Sequence, residues 1–160
     1  GYRSRRDSCE LGAKTMGVQS LRELSLSDLP RAESQLDDLT YRRVKHIITE
    51  NQRVLDSVSA LREGNLASLG RLLLESHASM RDDFEISVPE LDLAVETAMK
   101  VGAIGSRMTG GGFGGAAIAL ISESKLEELE IACKKAFAAN GYAEPNIFAV
   151  VPSEGARKDS

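Results

Sequence analysis

The residues best suited to chemistry by type and spacing lie in one run, Thr109-Gly-Gly-Gly-Phe-Gly-Gly115, where five of the chain's 14 glycines lie within the six positions 110–115. Glycine tolerates positive φ and close backbone approach. Successive free N–H groups in such a run form a concave anion site, which cradles phosphate without a side-chain charge. The other reading is a tight strand connection in which glycine only satisfies turn geometry, and the pattern alone leaves both open. The run does not fit the dinucleotide fingerprint, because a strand rather than a helix follows it, and it lacks the Lys-Ser/Thr pair of a Walker loop. Arg107, just ahead of it, reads either as a positive charge for a phosphate or as a solvated strand residue.

A second cluster, Glu75-Ser-His-Ala-Ser-Met-Arg-Asp-Asp-Phe-Glu85, is unusually polar for a segment joining two amphipathic helices. His77 has the chemistry of a general base and Asp82-Asp83 that of metal ligands. A lone histidine is more often a structural hydrogen-bonder, however, and adjacent carboxylates diverge unless a turn folds them together. A structural role is therefore expected, with no metal site in the chain. Asn51, on an apolar stripe between Ile48 and Leu55, is expected to hydrogen-bond a neighbouring loop. Cys9 and Cys133 lie far apart without CxxC or His-flanked spacing, which fits reduced thiols better than a disulfide framework or a zinc site.

The elements that position these groups follow from periodicity. Apolar spacing of three and four predicts a helix over 5–16 ended by Gly17, a short piece over 21–24, and a long helix over 39–62 ended by Gly64. Val44, Ile47, Ile48, Val54, Leu55, Val58 and Leu61 form one stripe on the long helix. Asn65 caps a further helix to Met80. Ser87-Val-Pro-Glu90 reads as a capping box opening a helix to Lys100, with Gly102 as its stop. The period then changes. Segments 103–108 and 116–121 read as short antiparallel strands around the glycine run, Ser124-Lys-Leu-Glu127 as a second capping box for a helix closed by Gly141, and 147–151 as a last strand. This order predicts an α+β fold, several helices against a small, mainly antiparallel sheet, as one domain over 1–152 with a tail over 153–160.

At 160 residues, 42% hydrophobic, the chain supports one core rather than two. Its 20 Lys+Arg against 24 Asp+Glu, net charge -4, give no electrostatic reason to expect nucleic acid or an anionic membrane. No apolar run approaches the roughly 20 residues that span a bilayer, and the first residues lack the apolar core of a signal peptide. A cytoplasmic location is expected. The start at Gly1, inside a helix-entry segment, reads as that of a fragment.

Gly105-Ser-Arg-Met-Thr-Gly-Gly-Gly-Phe-Gly-Gly115 resembles, nearly letter for letter, the third signature motif of galactokinases, ATP-dependent sugar kinases of the GHMP superfamily. Glu75-Ser-His-Ala-Ser-Met-Arg-Asp-Asp-Phe-Glu-Ile86, His46-Ile-Ile-Thr-Glu-Asn51 and Tyr2-Arg-Ser-Arg-Arg-Asp-Ser-Cys9 resemble further galactokinase segments in the same order, and Pro152-Ser-Glu-Gly-Ala156 looks like the family's C-terminus. Met108, Gly111 and Phe113 favour galactokinases over N-acetylgalactosamine kinases, which tend to Leu-Thr-Gly-Ala-Gly-Trp, and mevalonate kinases, which tend to Leu-Thr-Gly-Ala-Gly-Gly. Ala116, where the family often has Cys, and Arg3, where Asn often follows the tyrosine, depart from the pattern at positions of packing.

The resemblance implies a GHMP kinase C-terminal domain of ferredoxin-like type, one wall of a cleft whose other wall is an N-terminal domain. It implies that Tyr2 contacts the sugar and that Gly110, Gly111 and Gly112 belong to the loop beside the nucleotide's phosphates. The segment 77–85 would shape the cleft. The family's sugar-binding Gly-Arg…His…Asp motif, its phosphate loop, and its catalytic aspartate with partner arginine have no counterpart here. No catalytic residue is therefore expected in this chain, and ATP and Mg²⁺ would be bound mainly by the absent N-terminal domain. The whole protein would phosphorylate the C1 hydroxyl of α-D-galactose, whereas this chain alone is expected to be inactive, because phosphoryl transfer rests on positioning and charge stabilisation by loop, cation and base. Two rivals are a non-catalytic sensor of galactose and ATP built on the same fold, and a helical interaction module whose glycine run is only a turn.

Overall fold

The structure, a computed structural model, describes residues 2–110 and 115–145. Helix α1 (Tyr2–Met16) leads through 3₁₀ turns at Leu21–Glu23 and Leu26–Asp28 into α2 (Leu29–Gln35), followed by α3 (Asp38–Glu63), α4 (Leu66–Asp82) and α5 (Pro89–Val101). Strands β1 (Gly105–Thr109) and β2 (Ala116–Leu120) then form an antiparallel hairpin, and a 3₁₀ turn at Glu123–Lys125 opens α6 (Leu126–Ala139). The α+β class and the paired strands are as expected. The strand expected over 147–151, like Gly111, Gly112 and Phe113, lies outside the described residues.

Helices α3 and α4 form a tight antiparallel hairpin because punctuation sits between them. Gly64 takes φ 68 and returns its N–H to the carbonyls of Ala60 and Leu61, and Asn65 at once caps the next helix by accepting from the Ser68 N–H at 3.1 Å. The cross-helix pairs Arg42 with Asp82, His46 with Ser79 and Glu50 with Ser76 run in opposite chain directions.

Helix α4 then lies along β1, and two glycines allow it. A Cβ on Gly70 would run into the Ile104 carbonyl, and one on Gly105 into the Gly70 backbone, so neither position accepts a side chain without a shift. From Gly70 to His77 is about two helical turns, about 10.5 Å. From Gly105 to Met108 is three strand steps, about 10 Å. The contact therefore delivers Ser76 and His77 to the level of Arg107 and Met108.

Three apolar clusters hold the elements. Ala13, Met16, Leu21, Ala32, Val44 and Ile48 join α1 and α2 to the first half of α3; Ala98, Val101, Ala103, Leu129 and Cys133 join α5 to α6; Met80, Ile86, Leu91 and Met108 seal α4 and α5 against β1. Burial of one such large apolar side chain contributes roughly 1.5–3 kcal/mol. Among the described residues, no helix is long and apolar enough to cross a membrane.

Some sequence expectations require correction. Ser87 does not cap α5: Val88 precedes Pro89 in extended conformation, and the Ser87 hydroxyl donates instead to the Asp92 carboxylate at 2.7 Å, a charged acceptor. Ser124 does not cap α6, which starts after a 3₁₀ turn, and its hydroxyl meets that of Ser122 at 2.9 Å. A capping box does occur at Ser20 and Glu23, where the Glu23 carboxylate accepts the Ser20 N–H at 3.0 Å. The stripe of α3 is buried only in its first half. Val54, Leu55, Val58 and Leu61 are 41–63% exposed, because the cluster shared with α1 reaches no further than Ile48. Helix α2 was not expected; its seven residues include one buried side chain, Ala32, too short a span to show a period.

Candidate functional site

The hairpin pairs Thr109 with Ala116, so the glycine run is its connection. Gly110 and Gly115 both take φ +100, and a Cβ on Gly115 would press on the Thr109 carbonyl oxygen. Only glycine suits that stem.

Behind the stem, polar side chains hold β1 from the helices. The Met108 N–H donates to His77 Nδ1 at 3.0 Å, and the Met108 carbonyl accepts from Arg107 Nε at 2.8 Å. Since Nδ1 accepts, Nε2 carries the hydrogen that goes to Asp92 Oδ1 at 2.8 Å, the same oxygen that accepts from Ser87. His77 is thus a buried hydrogen-bonder with both ring nitrogens engaged.

The Arg107 guanidinium reaches away from the hairpin. It donates to Glu50 Oε2 at 3.1 Å and to Ser76 Oγ at 3.0 Å, while the Ser76 hydroxyl donates to Glu50 at 2.6 Å. Arg53 Nε completes the carboxylate's shell at 2.7 Å. Burial alone would raise the Glu50 pKa, but Ser76, Arg53 and Arg107 outweigh it and hold the carboxylate below its ordinary value. Arg107 is accordingly neither a solvated strand residue nor a cation free for a phosphate. One turn back on α3, His46 is 5% exposed, faces the Ser79 hydroxyl at 2.7 Å and lies 4.7 Å from the Phe84 ring. Burial lowers its pKa to about 4.

At the far end of α4, three arginines converge on residues 82–85. Arg5 donates to the carbonyls of Phe84 and Glu85, Arg42 to the carbonyl of Asp82 at 3.0 Å and Arg43 to that of Asp83 at 2.8 Å. Arg42 and Arg43 also pair with the Glu85 carboxylate, and Glu85 sits at φ 53. Cations at carbonyls left over by a helix C-terminus are favourable. This clamp ties the start of α1, where Tyr2 is the first residue, to the segment that also carries His77. Asp82 is paired with Arg81 at 2.8 Å and Asp83 with Lys45 at 3.8 Å. Among the described residues, no group of three His, Cys, Asp or Glu could hold a metal ion.

The remaining candidates fall elsewhere. Asn51 is exposed and lines a groove of about 390 Å³ between α1 and α3, with Cys9, Ile47 and Arg22, rather than bonding a loop. Cys9 and Cys133 are both free thiols, raised in pKa by burial. Sequence reasoning missed Glu50, Ser76 and Asp92. The available signal was that His46, Glu50 and Arg53 repeat at helical spacing on α3, opposite the polar start of the 75–85 segment.

Helices layered on an antiparallel glycine hairpin define the class, and residues 57–139 match the GHMP kinase C-terminal domain family, to which the chain belongs. Within it the similarity is to galactokinases. The chain is 47% identical over 159 residues to the galactokinase of Streptomyces coelicolor, covering 98% of this chain and 41% of that protein, and 43% identical to that of Pasteurella multocida, covering 96% and 41%. It superimposes on the Lactococcus lactis galactokinase complexed with galactose with a TM-score of 0.84 at 36% identity, covering 88% of this chain and 38% of that one. The chain thus spans about two fifths of the length of the curated relatives it matches.

Proposed function

We propose that this chain is the C-terminal portion of a galactokinase, a kinase that transfers the γ-phosphoryl group of ATP to the C1 hydroxyl of α-D-galactose and yields galactose 1-phosphate. The observation that carries the reading is the superposition on a galactokinase that holds galactose, over 88% of this chain. In this reading Tyr2 contacts the sugar and Gly110, Gly111 and Gly112 lie beside the nucleotide's phosphates, on a domain spanning 1–152. The positive-φ glycine stem and the helical clamps behind it support that division, since an anion-facing backbone works only when it is held in place.

Magnesium would neutralise charge on the phosphates during transfer. Glu50, Asp82, Asp83 and Asp92 are each engaged by arginine, lysine or histidine, and no group of three possible ligands occurs among the described residues. This supports a reading in which the N-terminal domain holds the ion and the catalytic base and this chain supplies a wall. A cytoplasmic location goes with the ATP supply.

The test is a chimera of the Streptomyces coelicolor galactokinase whose C-terminal two fifths are replaced by this chain. The chimera is expected to form galactose 1-phosphate from galactose and ATP with Mg²⁺, and the isolated chain to form none. Turnover by the isolated chain would overturn the division of labour. A folded chimera that binds neither galactose nor ATP would overturn the assignment of this chain as one wall of the site.

A further inference from the structure

We propose that His77 is a positioning residue for the nucleotide-side hairpin, acting through the backbone amide of Met108. The proposal rests on the kinase reading for its consequence, but not for its geometry. The Met108 N–H, which ends on His77 Nδ1 rather than on a neighbouring strand, is that of a residue with 0% exposure, two positions ahead of Gly110. A buried N–H without a partner is costly, so that acceptor helps to keep β1 in place against α4. His77 is itself immobilised: it is 2% exposed and its Nε2–H is fixed on Asp92, which Ser87 holds in turn. Second partners of this kind fix the orientation and tautomer of an imidazole. The Gly70–Gly105 contact sets the level at which His77 meets the strand. Arg107, braced by Glu50 and Ser76, takes the Met108 carbonyl. Both backbone polar groups of the residue leading into the glycine stem are thus held by side chains.

Two substitutions separate the bonds. In His77→Asn the amide oxygen occupies the place of Nδ1 and still accepts from Met108, while the donor to Asp92 is lost. In His77→Gln the amide reaches the place of Nε2 and serves Asp92, while the acceptor for Met108 is lost. In the active chimera, His77→Gln is expected to raise KM for ATP on the order of tenfold, whereas His77→Asn changes it less than about threefold, with KM for galactose nearly constant in both. Equal effects of the two variants, the reverse order, or a change confined to galactose would overturn the proposal, since a merely structural histidine would show no split by substrate.

The geometry is tested on the unmodified chain by ¹⁵N NMR of the His77 ring and the Met108 amide. The expected result is a protonated Nε2, an accepting Nδ1 and a slowly exchanging Met108 N–H. A protonated Nδ1 or a rapidly exchanging Met108 amide would sink the clamp, whatever the chimera does. An inactive chimera with the NMR pattern intact would instead fault the kinase reading.

Discussion

Replacing His46 with asparagine should flatten part of the pH dependence of stability. The imidazole is 5% exposed, and burial lowers its pKa from 6.5 to about 4, with Glu50 opposing and Arg53 and Arg107 adding to the shift. The unfolded chain therefore takes up a proton near pH 6.5 that the folded chain refuses until near pH 4. Stability from this group is fully present above 6.5 and is lost as pH falls toward the folded value. At about 1.4 kcal/mol per pH unit, the gap corresponds to a loss of at most about 3.5 kcal/mol. Glu50, whose carboxylate lies below its ordinary 4.5, adds its own loss only at the acid end of that window, so the cleanest range is 6.5 to 4.5. Urea midpoints followed by circular dichroism from pH 7 to pH 4, on the parent chain and His46→Asn, provide the assay. Asparagine reaches the Ser79 hydroxyl without titrating, and carboxylates common to both proteins cancel in the difference. The parent-minus-variant stability should fall steadily across the window. A flat difference, or an NMR titration placing His46 at or above 6.5, would refute the reasoning.

Gly70→Ala should destabilise although alanine is the better helix former, because its Cβ meets the Ile104 carbonyl and the strand beyond it. Overpacking of this kind costs about 1–3 kcal/mol, so the melting temperature should drop by several degrees, and a rise would show that the helix-to-strand approach is not tight. The exposed Val54, Leu55, Val58 and Leu61 of α3 make an apolar surface on which the isolated chain should self-associate. Sedimentation velocity should show oligomers that Leu55→Glu with Leu61→Glu returns to monomer. A monomeric parent chain at high concentration would count against that surface.

What could be read along the chain was what local chemistry determines. Gly64, Asn65 and Gly102 stop and start helices by their own backbone and side-chain preferences, and each does so at the expected place. The capping boxes at Ser87 and Ser124 failed because each hydroxyl has another local partner, the Asp92 carboxylate in the first turn of α5 for Ser87 and the Ser122 hydroxyl for Ser124. Separation along the chain hid the buried network, since Arg107 and Glu50 are 57 residues apart and neither is unusual in its own segment. His77 shows both sides. Its type and polar neighbourhood marked it as a residue with a task, and the general rule for lone histidines favoured a structural one. Which backbone group it holds depends on the Gly70–Gly105 contact, where two helical turns and three strand steps span nearly the same length. That near-equality brings the imidazole to the amide ahead of the glycine stem, so lengthening α4 by one residue before His77 should release Met108 even with every polar side chain kept.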